Sequence, residues 1–207
     1  MRRLIVVLAP ALLLLFVGSA ARADTLQYKS DPTGVNGPYL LSLNGGSSTP
    51  MICYSADNTV YSNETWNVTA YTEGSDLSAL VGTEFGDSTL AKTEFDYNEL
   101  GYLANELFAS PGNSALQNAI WAVLGLGGQY SSQEHTDLTA AATAVTDGYV
   151  TTDVFWVPSG SSWDYSWGPQ PFIQEKTSVP EPGSLALLAF GLLGLGLLAR
   201  KQGFAIL

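Results

Sequence analysis

Glu94-Phe95-Asp96-Tyr97-Asn98-Glu99-Leu100-Gly101-Tyr102-Leu103-Ala104-Asn105-Glu106-Leu107-Phe108 is the stretch on which the fold reading turns. Leu100, Leu103, Ala104 and Leu107 recur at spacings of three and four, so they share one helical face; Asn98, Glu99, Asn105 and Glu106 fall on the other. Ser110-Pro111-Gly112 breaks the pattern. Asn113 or Ser114 can cap a second helix, whose apolar residues are Leu116, Ala119, Ile120, Val123 and Leu124, and Gly125, Gly127 and Gly128 end it. A third, alanine-rich helix is predicted from about Ser132 to Thr146, stopped by Asp147-Gly148.

On either side of this helical block the period drops to two. Residues 24–71 read as strand: Tyr39, Leu41 and Leu43 alternate with Leu40 and Ser42, and Asn44 to Ser48 makes a turn. Ile52-Cys53-Tyr54 is a short apolar strand, and Trp66, Val68 and Ala70 alternate with Thr65, Asn67 and Thr69. After Gly148 the alternation returns from Tyr149 to Val157, then a turn at Pro158 to Ser162, then an aromatic strand from Trp163 to Ile173. Strands, a helical insertion and strands again predict an α+β fold.

The ends have a different character. Arg2-Arg3, an apolar run from Leu4 to Val17 and a close on Ala21-Arg22-Ala23 are the three parts of a secretory signal peptide, so residues 1–23 are expected to be removed. At the other end, residues 179–207 hold Pro180-Glu181-Pro182, an uncharged run from Leu185 to Ala199, and then Arg200-Lys201. As a helix that run spans roughly 22 Å, short against a hydrocarbon core of about 30 Å but adequate for a transient span. The positive charge beyond it should stay cytoplasmic. This order of parts resembles the PEP-CTERM sorting signal of Gram-negative bacteria. The resemblance implies an exosortase-type processing enzyme as partner, anchoring in the inner membrane through 185–199 during sorting, and then the cell surface or the extracellular space.

Residues 24–178 are long enough for one domain with a core of its own. They carry three Lys or Arg against 18 Asp or Glu, a formal charge of −15. Such a surface repels phosphate backbones, which argues against nucleic acid as a partner. The acids are scattered, and no calcium-loop pattern is present. The single histidine, His135, beside one cysteine leaves a zinc site short of ligands. No metal or other cofactor is therefore expected. A Cys53–His135 catalytic pair has no local signature. Trp156, Trp163 and Trp167 could line a sugar-binding face or serve as cross-strand aromatics.

Chemistry is suggested by two residues. Cys53 is the sole cysteine, so no intrachain disulfide can form. In Leu116-Gln117-Asn118-Ala119-Ile120-Trp121 each residue advances about 100° around a helix. Gln117 therefore falls inside the apolar stripe, between Leu124 and Trp121, with Asn118 on the outer face. A buried amide without partners costs about 1–3 kcal/mol. Either it bonds to backbone or it has reacted.

A lone cysteine on a strand followed by a Leu-Gln-x-Ala-Ile-Trp helix resembles the thioester domain of bacterial surface proteins, over roughly residues 39–125. That resemblance implies a β-sandwich or barrel with a helical subdomain. It matches Cys53 and Gln117 to the thioester-forming pair and Trp121 to the aromatic anchor. Enclosure by Trp121 and Tyr54 would shield the bond. Its target would be an amine-bearing surface ligand. Three functions follow from the sequence: an exported surface or biofilm-matrix protein acting as a non-enzymatic covalent adhesin; a structural matrix protein of the same fold with an inert Cys53 and Gln117; and a secreted hydrolase, for which no catalytic set is found. A free or metal-bound thiol is the remaining state open to Cys53.

Overall fold

The first strands of the domain form an antiparallel meander: β1 (Asp24–Ser30), β2 (Tyr39–Leu43) and β3 (Ser48–Cys53). The computed structural model describes residues 24–34, 36–56, 59–125, 131–159 and 169–176. The chain divides into two compact units, Met1–Glu175 and Lys176–Leu207, and the fold described here is that of the first. The expected signal peptide, the sorting segment with its apolar run 185–199, and Trp163 and Trp167 lie outside the described residues.

The β2–β3 turn shows how locally the meander is specified. Asn44 and Gly45 take φ values of 52° and 73°. Two successive positive φ angles are what the twist of a tight hairpin asks for, and Asn-Gly adopts them at least cost. Gly46 N then donates to Leu43 O at 2.9 Å.

The remaining strands are β4 (Thr65–Tyr71), β5 (Val154–Pro158) and β6 (Phe172–Gln174). β1 pairs with β4 through Leu26↔Trp66, β4 with β5 through Thr69↔Val157, and β6 bridges β5 and β3 through Phe155↔Ile173 and Cys53↔Phe172. All of these pairs are antiparallel. The order β1-β2-β3-β6-β5-β4 closes on itself, so of the two architectures expected the body is a barrel. The ring closes through a short β3–β6 ladder, Ile52↔Ile173 and Cys53↔Phe172.

Alternation along the strands then builds two cores. Leu26, Leu41, Met51, Cys53, Trp66, Val68, Trp156 and Phe172 converge in the lumen. Ile52, Phe155, Val157 and Ile173 face outward and are covered by the helices. The helices are α1 (Leu90–Ala109), α2 (Ser114–Val123) and α3 (Ser132–Thr146), inserted between β4 and β5. The predicted face of α1 is the buried one: Leu100, Leu103, Ala104 and Leu107 are fully buried. Each such leucine contributes about 1.5–3 kcal/mol by leaving water.

Caps fix the helix starts. The Asn113 side chain accepts from Ala115 N and Leu116 N, and Ser131 forms a capping box with Glu134. Glu134 is buried, and its other carboxylate oxygen accepts from Asn118 Nδ2 at 2.8 Å, which ties α3 to α2. α1 lies very close to the chain entering β5. A Cβ on Gly101 would come within 2.0 Å of Thr151 Oγ1, so only glycine permits that approach.

Two strand expectations differ from the structure. Strand was predicted from Tyr149, but β5 starts at Val154. Residues 149–151 bond to α1 instead of to a ladder: Asn105 Nδ2 donates to Tyr149 Oη, and Thr151 N donates to Asn98 Oδ1. Of the last strand, predicted from Trp163 to Ile173, the described part is regular over Phe172–Gln174, and residues 160–168 lie outside the described residues.

Candidate functional site

Cys53 is the last residue of β3 and belongs to the lumen cluster, 1 % exposed. Its partner strand on one side has already ended, since the β2–β3 ladder runs only as far as Tyr39↔Met51. The Cys53 carbonyl is therefore taken by a side chain. Gln117 Nε2, from the first turn of α2, donates to Cys53 O at 2.7 Å. Gln117 is fully buried, and its Oε1 has no hydrogen-bond partner. The two residues singled out in the sequence, 64 positions apart, are thus direct neighbours.

Gly37 closes the far side of the carboxamide. A Cβ built there would stand 2.8 Å from Gln117 Oε1, well inside contact distance. Gly37 O in turn accepts from Gly112 N at 3.1 Å, so the α1–α2 connection holds this loop in place. Nothing in the period analysis marks Gly37. Its one sequence signal is the Gly37-Pro38 pair just ahead of β2.

The sulfur has its own polar contacts. Cys53 Sγ donates to Ser55 O at 2.9 Å, and Ser55 N donates back to the sulfur at 3.4 Å. The Trp121 indole N–H faces the sulfur closely enough to favour a thiolate, yet it makes no hydrogen bond of normal geometry. Burial outweighs these groups and pushes the thiol up to about 12, so Cys53 is protonated at neutral pH. Tyr39, half-buried beside the lumen, has its hydroxyl raised to about 12, first by burial and then by the nearby Cys53. Its ring meets Phe172 edge-on at 6.1 Å.

Tyr54, expected to cover the sulfur, is on the opposite side of β3. Successive strand residues point to opposite faces. The Tyr54 ring packs among Phe85, Tyr97 and Phe155, with centroid distances of 6.2–6.3 Å. On the lumen side the positions flanking Cys53 are Met51 and, across the ladder, Phe172. His135 is exposed in the first turn of α3, and the hydrogen-bond partners of Cys53 do not include it. Trp156 is buried in the lumen with its Nε1 donating to Gln174 Oε1, so it offers no open face to a sugar. Among the described residues, no group of three or more His, Cys, Asp and Glu could hold a metal ion.

Residues 178–201 match the PEP-CTERM protein-sorting motif. The match takes in Pro180, Glu181, Pro182, Arg200 and Lys201. A PEP-CTERM motif implies export, a membrane-anchored stage of sorting and processing by an exosortase. It leaves open what the barrel domain does. No match to the chain is found among curated proteins or among solved structures. Among the described residues, no helix is long and apolar enough to cross a membrane; the apolar run 185–199 lies outside them.

Proposed function

We propose that this is a cell-surface or biofilm-matrix protein whose barrel domain acts as a covalent adhesin, through an internal thioester between Cys53 and Gln117. The observation that carries the reading is the buried carboxamide of Gln117 held on the backbone of Cys53 itself, with its oxygen unpartnered. The Cys53 sulfur adds to Gln117 Cδ, the carbon–nitrogen bond breaks, and the amide nitrogen leaves as ammonia with the thiol proton. Holding a thiol and a carboxamide in attack geometry is equivalent to effective molarities of about 10⁵ M or more. The unpartnered oxygen also raises the unreacted amide by about 1–3 kcal/mol. Burial works in two directions. It keeps the thiol protonated, which slows attack, and it keeps water from the product. An amine on a partner surface then takes the acyl group as an amide and returns the thiol. The protein is used once and does not turn over.

A second reading has its own support. Cys53 and Gln117 are at most 1 % exposed, and the amide N–H and the thiol S–H both have acceptors. In that reading the protein is a structural matrix component, and Gln117 is a clamp that seats α2 on the end of β3. Intact mass of the exported protein separates the two. The adhesin reading expects a mass one ammonia below that of the processed sequence, gain of one methylamine on incubation with it, and loss of both effects in Cys53→Ala. A full sequence mass, with one thiol that titrates once the chain is unfolded, leaves the structural reading alone.

A further inference from the structure

A cavity of about 190 Å³ opens where the end of β4, α1 and the chain entering β5 meet. That is room for one small organic group. Its apolar wall is Leu77, Tyr97 and Phe155, all nearly fully buried, with half-buried Tyr71 and with Val150, which is 55 % exposed.

The lining also holds Thr72, Ser75, Asn98 and Thr151, and its charge is of one sign. Among the described residues, Glu73 and Glu94 line the cavity as exposed carboxylates, and no Lys or Arg does. Lys92, the one basic residue of α1, is already engaged with Asp87 and Asp96. Two carboxylates are too few to hold a hard divalent ion without further ligands, and no metal-ligand cluster exists among the described residues. The domain's charge of −15 draws cations toward it.

An apolar wall beside two unpaired carboxylates matches one kind of group: a methylene chain ending in an ammonium. Such a chain lays its carbons on apolar surface and keeps its charge at a polar rim. We propose that this cavity binds an alkylammonium group, with the chain against Tyr71, Phe155 and Val150 and the ammonium at Glu73 and Glu94. The site is separate from Cys53 and Gln117 and does not depend on the thioester.

Calorimetric titration of the full chain in mild detergent tests it with three probes. n-Pentylammonium carries chain and charge, methylammonium the charge alone, and 1-pentanol the chain alone. The expected result is saturable 1:1 binding of n-pentylammonium, at least tenfold tighter than either of the others. Binding should weaken at least tenfold in the Glu73→Gln/Glu94→Gln double variant, which changes two exposed side chains. Nα-acetyl-lysine-N-methylamide and putrescine then tell a protein side chain from a free diamine by which binds more tightly. Absence of saturable n-pentylammonium binding, equal binding of 1-pentanol, or undiminished affinity in the double variant would each overturn the assignment.

Discussion

Met51 and Cys53 look into the barrel lumen while Ile52 and Tyr54 look out at the helices, and the two sides of β3 treat polar groups differently. On the helix side, Tyr54 Oη and Tyr97 Oη lie 3.4 Å apart, and Tyr97 Oη donates to Phe85 O at 3.0 Å. Around the lumen, Trp66 Nε1, Gln117 Oε1 and Trp121 Nε1 are buried without partners. Each such atom costs about 1–3 kcal/mol. The helices carry one more such atom, Asp137 Oδ2 of α3. The lumen side carries unmet polar demand, concentrated near the only thiol.

The largest expected effect tests whether the lumen is nonetheless a working core. Phe172 is fully buried, pairs with Cys53 across the ladder and packs against Tyr39 and Trp66. Phe172→Ala should destabilise by about 3–5 kcal/mol in urea unfolding. A cost under about 1 kcal/mol would mean that the lumen contributes little and that the comparison is mistaken.

The next effect concerns the thiol. Its pKa lies near 12 in the folded protein, above the usual 9.0 for a free thiol. The folded state thus binds the proton more tightly than the unfolded one. Its stabilisation is complete below pH 9 and is lost as pH rises through 12, at no more than about 1.4 kcal/mol per pH unit for one proton. Tyr39 and Tyr97 are shifted in the same direction, so the readout is the difference between wild type and Cys53→Ala. Wild type should lose stability faster than the variant over that window. Identical slopes are the signature of a sulfur that carries no proton, as in the thioester.

Much of this arrangement is legible in the sequence, and the parts that are not share a cause. The helix faces follow from spacing: the 100° advance alone places Gln117 in the apolar stripe, and it is buried there. The Asn44-Gly45 turn is equally local. Barrel closure is not local, because alternation says that Leu26 and Trp66 each bury one face but not that they pair. The partner of Gln117 is hidden for the same reason, being a main-chain carbonyl left over where β2 ends. Gly37 acts through an absent Cβ, and only the Gly37-Pro38 pair marks it in the sequence. Tyr54 is the instructive case. The alternation that identified the strand already sends it to the opposite side from Cys53, and only adjacency in sequence made it look like a shield.

Gly37→Ala sharpens the comparison at close range. The new Cβ would meet Gln117 Oε1 at 2.8 Å, and Gln117 is enclosed on all sides. The cost expected from overpacking is about 1–3 kcal/mol. Shortening the neighbour should relieve it, so Gly37→Ala combined with Gln117→Ala should be less destabilised than the sum of the two single variants. Strict additivity in urea unfolding would show that the loop moves aside and does not bear on the carboxamide.

The smallest effect asks the question most directly, with one near-isosteric change on each side of β3. Tyr97→Phe removes a hydroxyl that donates to Phe85 O, and the expected loss is about 1 kcal/mol. Gln117→Leu removes one good hydrogen bond, to Cys53 O, together with one buried oxygen that has no partner. These two terms oppose each other at similar size, so the net change should be smaller than for Tyr97→Phe and could favour the variant. Chemical denaturation of both variants under one set of conditions reads the difference. If Gln117→Leu proves the more damaging of the two, the amide is a well-satisfied clamp. The contrast between a settled helix side and an unsettled lumen would then fail at the residue where it matters most.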